Sequence, residues 1–147
     1  MAAHRIRRLP HILVVEDSIE DRDLILEAFK EAGGHAKVTV VEDGDQAFAV
    51  LRREGRHGTA PRPDLVVLDL NLPRRSGHEV LAEMKGDPDL KRIPVVVLTT
   101  SSARRDVLAS YELAANCHLT KPSDLDEFLQ LVQRIDEFWL GTATLPS

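Results

Sequence analysis

Carboxylates, a hydroxyl and an amine recur at one kind of place in this sequence, the C-terminal end of a short apolar run. Glu16-Asp17 follows Ile12-Leu13-Val14-Val15, and Asp69 follows Leu65-Val66-Val67-Leu68. Thr99 closes Val95-Val96-Val97-Leu98, and Lys121-Pro122 follows Cys117-His118-Leu119-Thr120. A carboxylate can attack phosphorus and hold a phosphoryl group as a mixed anhydride. Nucleophile and phosphoryl group are both anionic, so a divalent metal must screen their repulsion, and magnesium takes oxygen ligands. Asp69 would be the acceptor, with Glu16, Asp17 and the Asn71 backbone carbonyl as further oxygen donors. Lys121 offers a point charge for phosphoryl oxygens, and Thr99 a short hydroxyl donor.

Each residue also has a plainer role when taken alone. Asp17 or Ser18 can cap a helix, Thr99 can be an ordinary β-branched strand residue, and Lys121 can sit solvated in a turn. The argument for a site lies in their shared position. In an open parallel α/β sheet the carboxyl ends of the strands form one edge, and ligands bind there.

The elements that would position them follow from hydrophobic patterning. Strands are predicted at 11–16, 37–42, 64–69, 94–99 and 116–120, and helices at 18–32, 44–54, 77–86, 103–114 and 124–140. The runs at 12–15, 65–68 and 95–98 are continuous rather than alternating, the mark of strands covered on both faces. Strand–helix alternation implies right-handed crossovers and a three-layer sandwich. Gly33-Gly34 suits the end of the first helix, and Asp87-Pro88 the end of the third. The Gly/Pro/Arg-rich segment 54–63 is the longest expected loop.

The 147 residues suit one domain with a proper core, predicted over 10–140 between an arm at 1–9 and a tail at 141–147. A net charge of −5 gives no general reason to expect nucleic-acid binding, and Arg5, Arg7 and Arg8 read as a solvated arm. The single cysteine, Cys117, rules out an internal disulfide and suits a reducing cytosol, so a cytoplasmic location is expected. No apolar run nears the ~18 residues of a membrane span.

The chain resembles the receiver domains of bacterial two-component response regulators over about residues 10–140. The resemblance rests on Glu16-Asp17, on Asp69-Leu70-Asn71-Leu72-Pro73 through Gly77, on Thr99-Thr100, on Lys121-Pro122, and on the spacings between them. It implies a flavodoxin-like (βα)5 fold with a five-stranded parallel sheet in the order 2-1-3-4-5. It implies phosphoryl transfer from a histidine kinase to Asp69. Magnesium (or manganese) would be held by Asp17, Asp69 and the Asn71 carbonyl, with Glu16 acting largely through water. Lys121 would pair with the phosphoryl group, and its bond to Pro122 would be cis. Arg52-Arg53-Glu54-Gly55, Ala60-Pro61-Arg62-Pro63-Asp64, Leu98-Thr99-Thr100-Ser101-Ser102, Ala115-Asn116-Cys117 and Phe138-Trp139 further resemble the small stand-alone regulators paired with bacterial and cyanobacterial phytochromes. The partner would then be a red-light photoreceptor kinase.

In that family Thr99 would be drawn to the phosphoryl group, an aromatic residue three before Lys121 would turn inward, and the face of the fourth helix, fifth strand and fifth helix would change. Here that residue is His118, which puts the coupling in question: a histidine can swing and add pH sensitivity, or simply be a strand residue. Asn71 and Ser101 occupy positions that tune phosphoryl lifetime in the family. With no output domain after the fifth helix, signalling is expected through a protein partner, self-association or onward phosphotransfer. Leu125, Phe128, Val132, Ile135 and Trp139 form a predicted inward stripe, flanked by Leu131, Phe138, Leu129 and Leu140. That wide apolar arc predicts a homodimer through this helix and its neighbours. An aspartyl-phosphate hydrolase would also use a strand-end Asp, but usually after its first strand with a second Asp two residues on. A flavodoxin-type flavin carrier would need a phosphate-cradling loop where Glu16-Asp17 stands. A degenerate receiver acting only as an interaction module is the remaining alternative.

Overall fold

The computed structural model describes residues 9–55 and 58–146. The N-terminal arm, except Leu9, lies outside the described residues. Strands β1 (His11–Val15), β2 (Lys37–Val41), β3 (Leu65–Leu68), β4 (Val95–Thr99) and β5 (Cys117–Thr120) form one parallel sheet in the order β2-β1-β3-β4-β5. Helices α1 (Ile19–Glu31), α2 (Gly44–Leu51), α3 (Gly77–Gly86), α4 (Arg104–Glu112) and α5 (Leu125–Asp136) make the crossovers. Every predicted strand and helix is present, and the fold is the flavodoxin-like sandwich.

The three central strands are buried along their whole length apart from half-buried His11. Because strand side chains alternate between faces, they feed two cores. Leu13, Val15, Val66 and Leu68 pack with Phe48, Leu81 and Met84, whereas Ile12, Val14, Val67 and Leu98 pack with Ile25, Phe29, Phe128 and Val132. Side chains at the N-caps satisfy the first turns of four helices: Ser18, Asp43, Ser76 and Asp124 accept the amide N–H of Asp21, Gln46, Glu79 and Glu127. Ser18 therefore caps α1, and Asp17 does not.

Two glycines stand where a side chain would not fit the backbone, one at the β3 end and one at the end of α1. A Cβ on Gly77 would stand 2.3 Å from the Asp69 carbonyl oxygen and 2.6 Å from Leu70 Cα. The start of α3 therefore presses directly on the backbone of Asp69. Gly33, at φ +119°, ends α1 in the left-handed region that glycine alone adopts cheaply.

The last helix departs from expectation in two ways. The α-helix stops at Asp136 and continues as a wider π-turn over Glu137–Thr142, closed by the Ala143 amide donating to the Phe138 carbonyl at 2.7 Å. Part of the predicted tail is thus wound into this turn. Leu125 does not face inward; it is the first helical residue after the Asp124 cap and is 55% exposed, so the buried stripe starts a turn later at Phe128. Phe128, Val132 and Ile135 are buried as predicted, and Trp139 is half-buried, edge-to-face on exposed Phe138. None of the described peptide bonds is cis, so Lys121-Pro122 is trans, the isomer X–Pro bonds ordinarily prefer. A short 3₁₀ turn at Leu90–Arg92, unforeseen in the sequence, follows the Pro88 break, with Asp87 Oδ1 accepting the Asp89 and Leu90 amides.

Candidate functional site

The backbone ladder runs one residue past each strand and pins the polar residues there. The Glu16 amide donates to the Val41 carbonyl at 3.0 Å, the Asp69 amide to Val15 at 3.1 Å, and the Lys121 amide to Thr99 at 2.7 Å. With Thr99, the last residue of β4, four strand ends thus deliver side chains into one small volume. Glu16, Asp69, Thr99 and Lys121 are all buried there, while Asp17 is exposed at the rim.

Asp69 is the hub. Its Oδ1 accepts the Thr99 hydroxyl at 2.8 Å and the Asn71 amide at 3.1 Å, and its Oδ2 accepts Lys121 Nζ at 3.0 Å. Lys121 Nζ also donates to Glu16 Oε1 at 2.5 Å and to Asp21 Oδ2 at 2.7 Å. One ammonium is therefore shared by three carboxylates. Carboxylate oxygens of Glu16, Asp17 and Asp69 lie within 4.8 Å of one another, close enough to share one ion.

The electrostatics follow from burial and proximity. Burial raises the Glu16 pKa most, the Asp69 charge adds to it, and the hydrogen bond from Lys121 only partly offsets this, leaving it at about 7. Burial works against the Asp69 carboxylate too. The Asn71 amide and the Lys121 charge outweigh it, so Asp69 sits below the usual carboxylate value and is ionised. Burial disfavours the Lys121 ammonium, but its bonds to Asp21 and Glu16 and the charge of Asp69 more than compensate and raise its pKa. The cluster gathers four carboxylates around one ammonium, an excess of anion that suits a divalent cation with hard oxygen ligands. The residues present therefore fit magnesium or manganese, with Glu16, Asp17 and Asp69 as the available carboxylates.

Of the residues singled out in the sequence, Glu16, Asp17, Asp69, Thr99 and Lys121 converge, and Asn71 touches Asp69 through its amide. Thr100 is exposed and makes no side-chain hydrogen bond among the described residues. Pro122 is half-buried beside the site. Ser101 and His118 belong to a second cluster, where His118 Nε2 meets the Ser101 carbonyl at 2.9 Å. Sequence reasoning missed Asp21. An acidic residue in a first helical turn is already accounted for by the helix dipole, so only the fold reveals that it reaches Lys121. It also missed Ser110, a wholly buried serine of α4 that contacts His118 Nδ1 at 2.9 Å.

Comparison with known proteins points to one family. The sequence profile of the response regulator receiver domain matches residues 12–133. Response regulator Rcp1 of Synechocystis sp. (strain ATCC 27184 / PCC 6803 / Kazusa) is 52% identical over 136 residues, 92% of each chain. The phosphorylated cyanobacterial phytochrome response regulator RcpA superposes with a TM-score of 0.92 at 51% identity, over 95% of this chain and 100% of that one. The Mn²⁺-bound form of Rcp1 gives a TM-score of 0.90 at 51% identity, over 94% and 99%.

Proposed function

The chain belongs to the response regulator receiver domain family, and we propose that it accepts a phosphoryl group on Asp69 from a histidine kinase of the phytochrome type and relays the signal through the α4–β5–α5 face. The observation that carries this reading is the buried, ionised Asp69, whose two oxygens are aimed by Thr99, Asn71 and Lys121. Its relatives support the pairing and the metal: one is the phosphorylated cyanobacterial phytochrome response regulator RcpA, and another, Rcp1, has an Mn²⁺-bound form.

In the proposed step a carboxylate oxygen of Asp69 attacks phosphorus, forming a P–O bond as the donor's P–N bond breaks, and the imidazole leaves with the electron pair. Asp69 enters already ionised, so no proton need be removed from it. Lys121 is placed to meet the charge arriving on the phosphoryl oxygens, and Thr99 can pass its hydroxyl hydrogen bond from Asp69 to one of them. Glu16, Asp17, Asp69 and the Asn71 carbonyl are the proposed holders of a divalent cation, which would supply charge neutralisation between two anions. Self-catalysed phosphorylation from small donors and self-dephosphorylation belong to the same reading, as does a cytoplasmic location.

Intact mass after incubation with acetyl phosphate and Mg²⁺ tests it. One added phosphoryl group is expected, abolished by chelator and by Asp69→Asn; no adduct, together with no metal-dependent beryllofluoride binding, would refute the phosphoacceptor role. We also propose a homodimer through this face, where Leu108, Tyr111 and Leu125 are exposed. Leu108→Glu should then shift the light-scattering mass to that of a monomer, and a wild type that is monomeric with and without beryllofluoride would sink the dimer.

A further inference from the structure

His118 is wired at three points. Its backbone amide donates to the Tyr111 hydroxyl at 3.2 Å, Nε2 lies 2.9 Å from the Ser101 carbonyl oxygen, and Nδ1 lies 2.9 Å from Ser110 Oγ. Ser110 Oγ is in turn 2.9 Å from the Asp106 carbonyl oxygen.

Counting protons shows what this wiring asks for. The Ser101 carbonyl can only accept, so Nε2 must carry a hydrogen. In the neutral ring Nδ1 is then bare and takes the single hydroxyl proton of Ser110, leaving none for the Asp106 carbonyl. In the imidazolium Nδ1 donates to Ser110 Oγ, and the hydroxyl proton is released to the Asp106 carbonyl. The cation makes all three contacts hydrogen bonds; the neutral ring makes two of them. Ser110 is wholly buried, so its hydroxyl proton goes to one of these two acceptors and not to water. The titratable groups facing the ring's partners both lie on α4. They are the Asp106 carboxylate, which accepts the Ser101 hydroxyl at 2.5 Å, and the Tyr111 hydroxyl. Among the described residues no ion pair reaches the ring, and β5 and the loop after β4 add no ionisable partner.

The atoms so tied matter because Ser101 stands two residues after Thr99, whose hydroxyl lies on Asp69. We propose that His118 is a positioning residue, a proton-dependent latch that fastens the loop after β4 through Ser110 and Ser101 and so holds Thr99 in reach of Asp69. This rests on the reading of Asp69 as the phosphoacceptor. Acidification favours the three-bond state and tightens the latch.

Two measurements test it. Long-range ¹H–¹⁵N spectra should find neutral His118 as the Nε2–H tautomer, with its ring still held after protonation; the Nδ1–H tautomer or a freely rotating ring would overturn the latch. Beryllofluoride affinity in the presence of Mg²⁺ should then be compared for wild type, His118→Gln and Ser110→Ala. Gln keeps a donor for Ser101 but cannot gain a charge. The wild-type to His118→Gln affinity ratio should rise roughly three- to tenfold between about pH 8 and pH 6, and Ser110→Ala should flatten that rise. A ratio independent of pH would refute the proposal. If no form binds beryllofluoride and none gains a phosphoryl group from acetyl phosphate, the phosphoacceptor reading fails instead, and the tautomer still decides the latch.

Discussion

At the scale of single residues, the site is governed by a shortage of positive charge. Lys121 alone serves Glu16, Asp21 and Asp69, and the consequence falls on Glu16, whose pKa rises from 4.5 to about 7. Without metal, the folded chain therefore binds a proton that the unfolded chain has lost between those pH values. Stability must fall as pH rises across that window. Denaturation in chelator at about pH 5 and pH 7.5 should show a loss on the order of 2 kcal/mol, and Glu16→Gln should remove most of it. An unchanged slope in that variant would show that Glu16 is not the titrating group. The positions of Asp69, Glu16 and Thr99 were legible in the sequence because each ends an apolar run that reads as a buried strand, whereas Lys121 follows the more polar, half-buried β5 and was legible from its motif with Pro122. Asp21 and Ser110 were not, because a polar residue on a helix carries no mark of the distant strand it will touch.

At the scale of elements, the tightest joint is the one between β3 and α3. The Cβ that alanine would add at Gly77 meets backbone atoms, which cannot swing aside as a flexible side chain could. Gly77→Ala should cost about 1–3 kcal/mol by overpacking, read as a lower denaturation midpoint. It should also slow phosphorylation at Asp69, whose carbonyl it pushes. Loss of stability with unaltered phosphorylation would show that α3 yields instead. The sequence carried the strands and helices well, since continuous burial and helical periodicity are strong signals. It carried the end of α5 poorly. The apolar arc through Phe138 and Trp139 reads as unbroken helix, and nothing in it announces the widening after Asp136. Nor does it announce that Asp136 itself is buried, with Oδ2 unpartnered and its pKa raised by burial.

At the scale of the whole molecule, the site exists only when the sheet is complete. Its side chains come from the ends of β1, β3, β4 and β5, and no two of these strands are consecutive in sequence without an intervening helix. A cation bound there grips the folded chain and not the unfolded one, so saturating Mg²⁺ should stabilise by about 2–3 kcal/mol at a hundredfold excess over its Kd. That is a rise of several degrees in Tm, expected to vanish in Asp17→Ala; an equal rise in that variant would place the cation elsewhere. The flavodoxin-like order β2-β1-β3-β4-β5 was implied by family resemblance, not by periodicity, which gives the elements but not their neighbours.

Strand β5 closes one side of that sheet, and its outer margin is where another polypeptide could zip on. The His118 amide on that margin is already spent on the Tyr111 hydroxyl. A single phenol therefore occupies one of the backbone donors that an incoming strand would need along this edge.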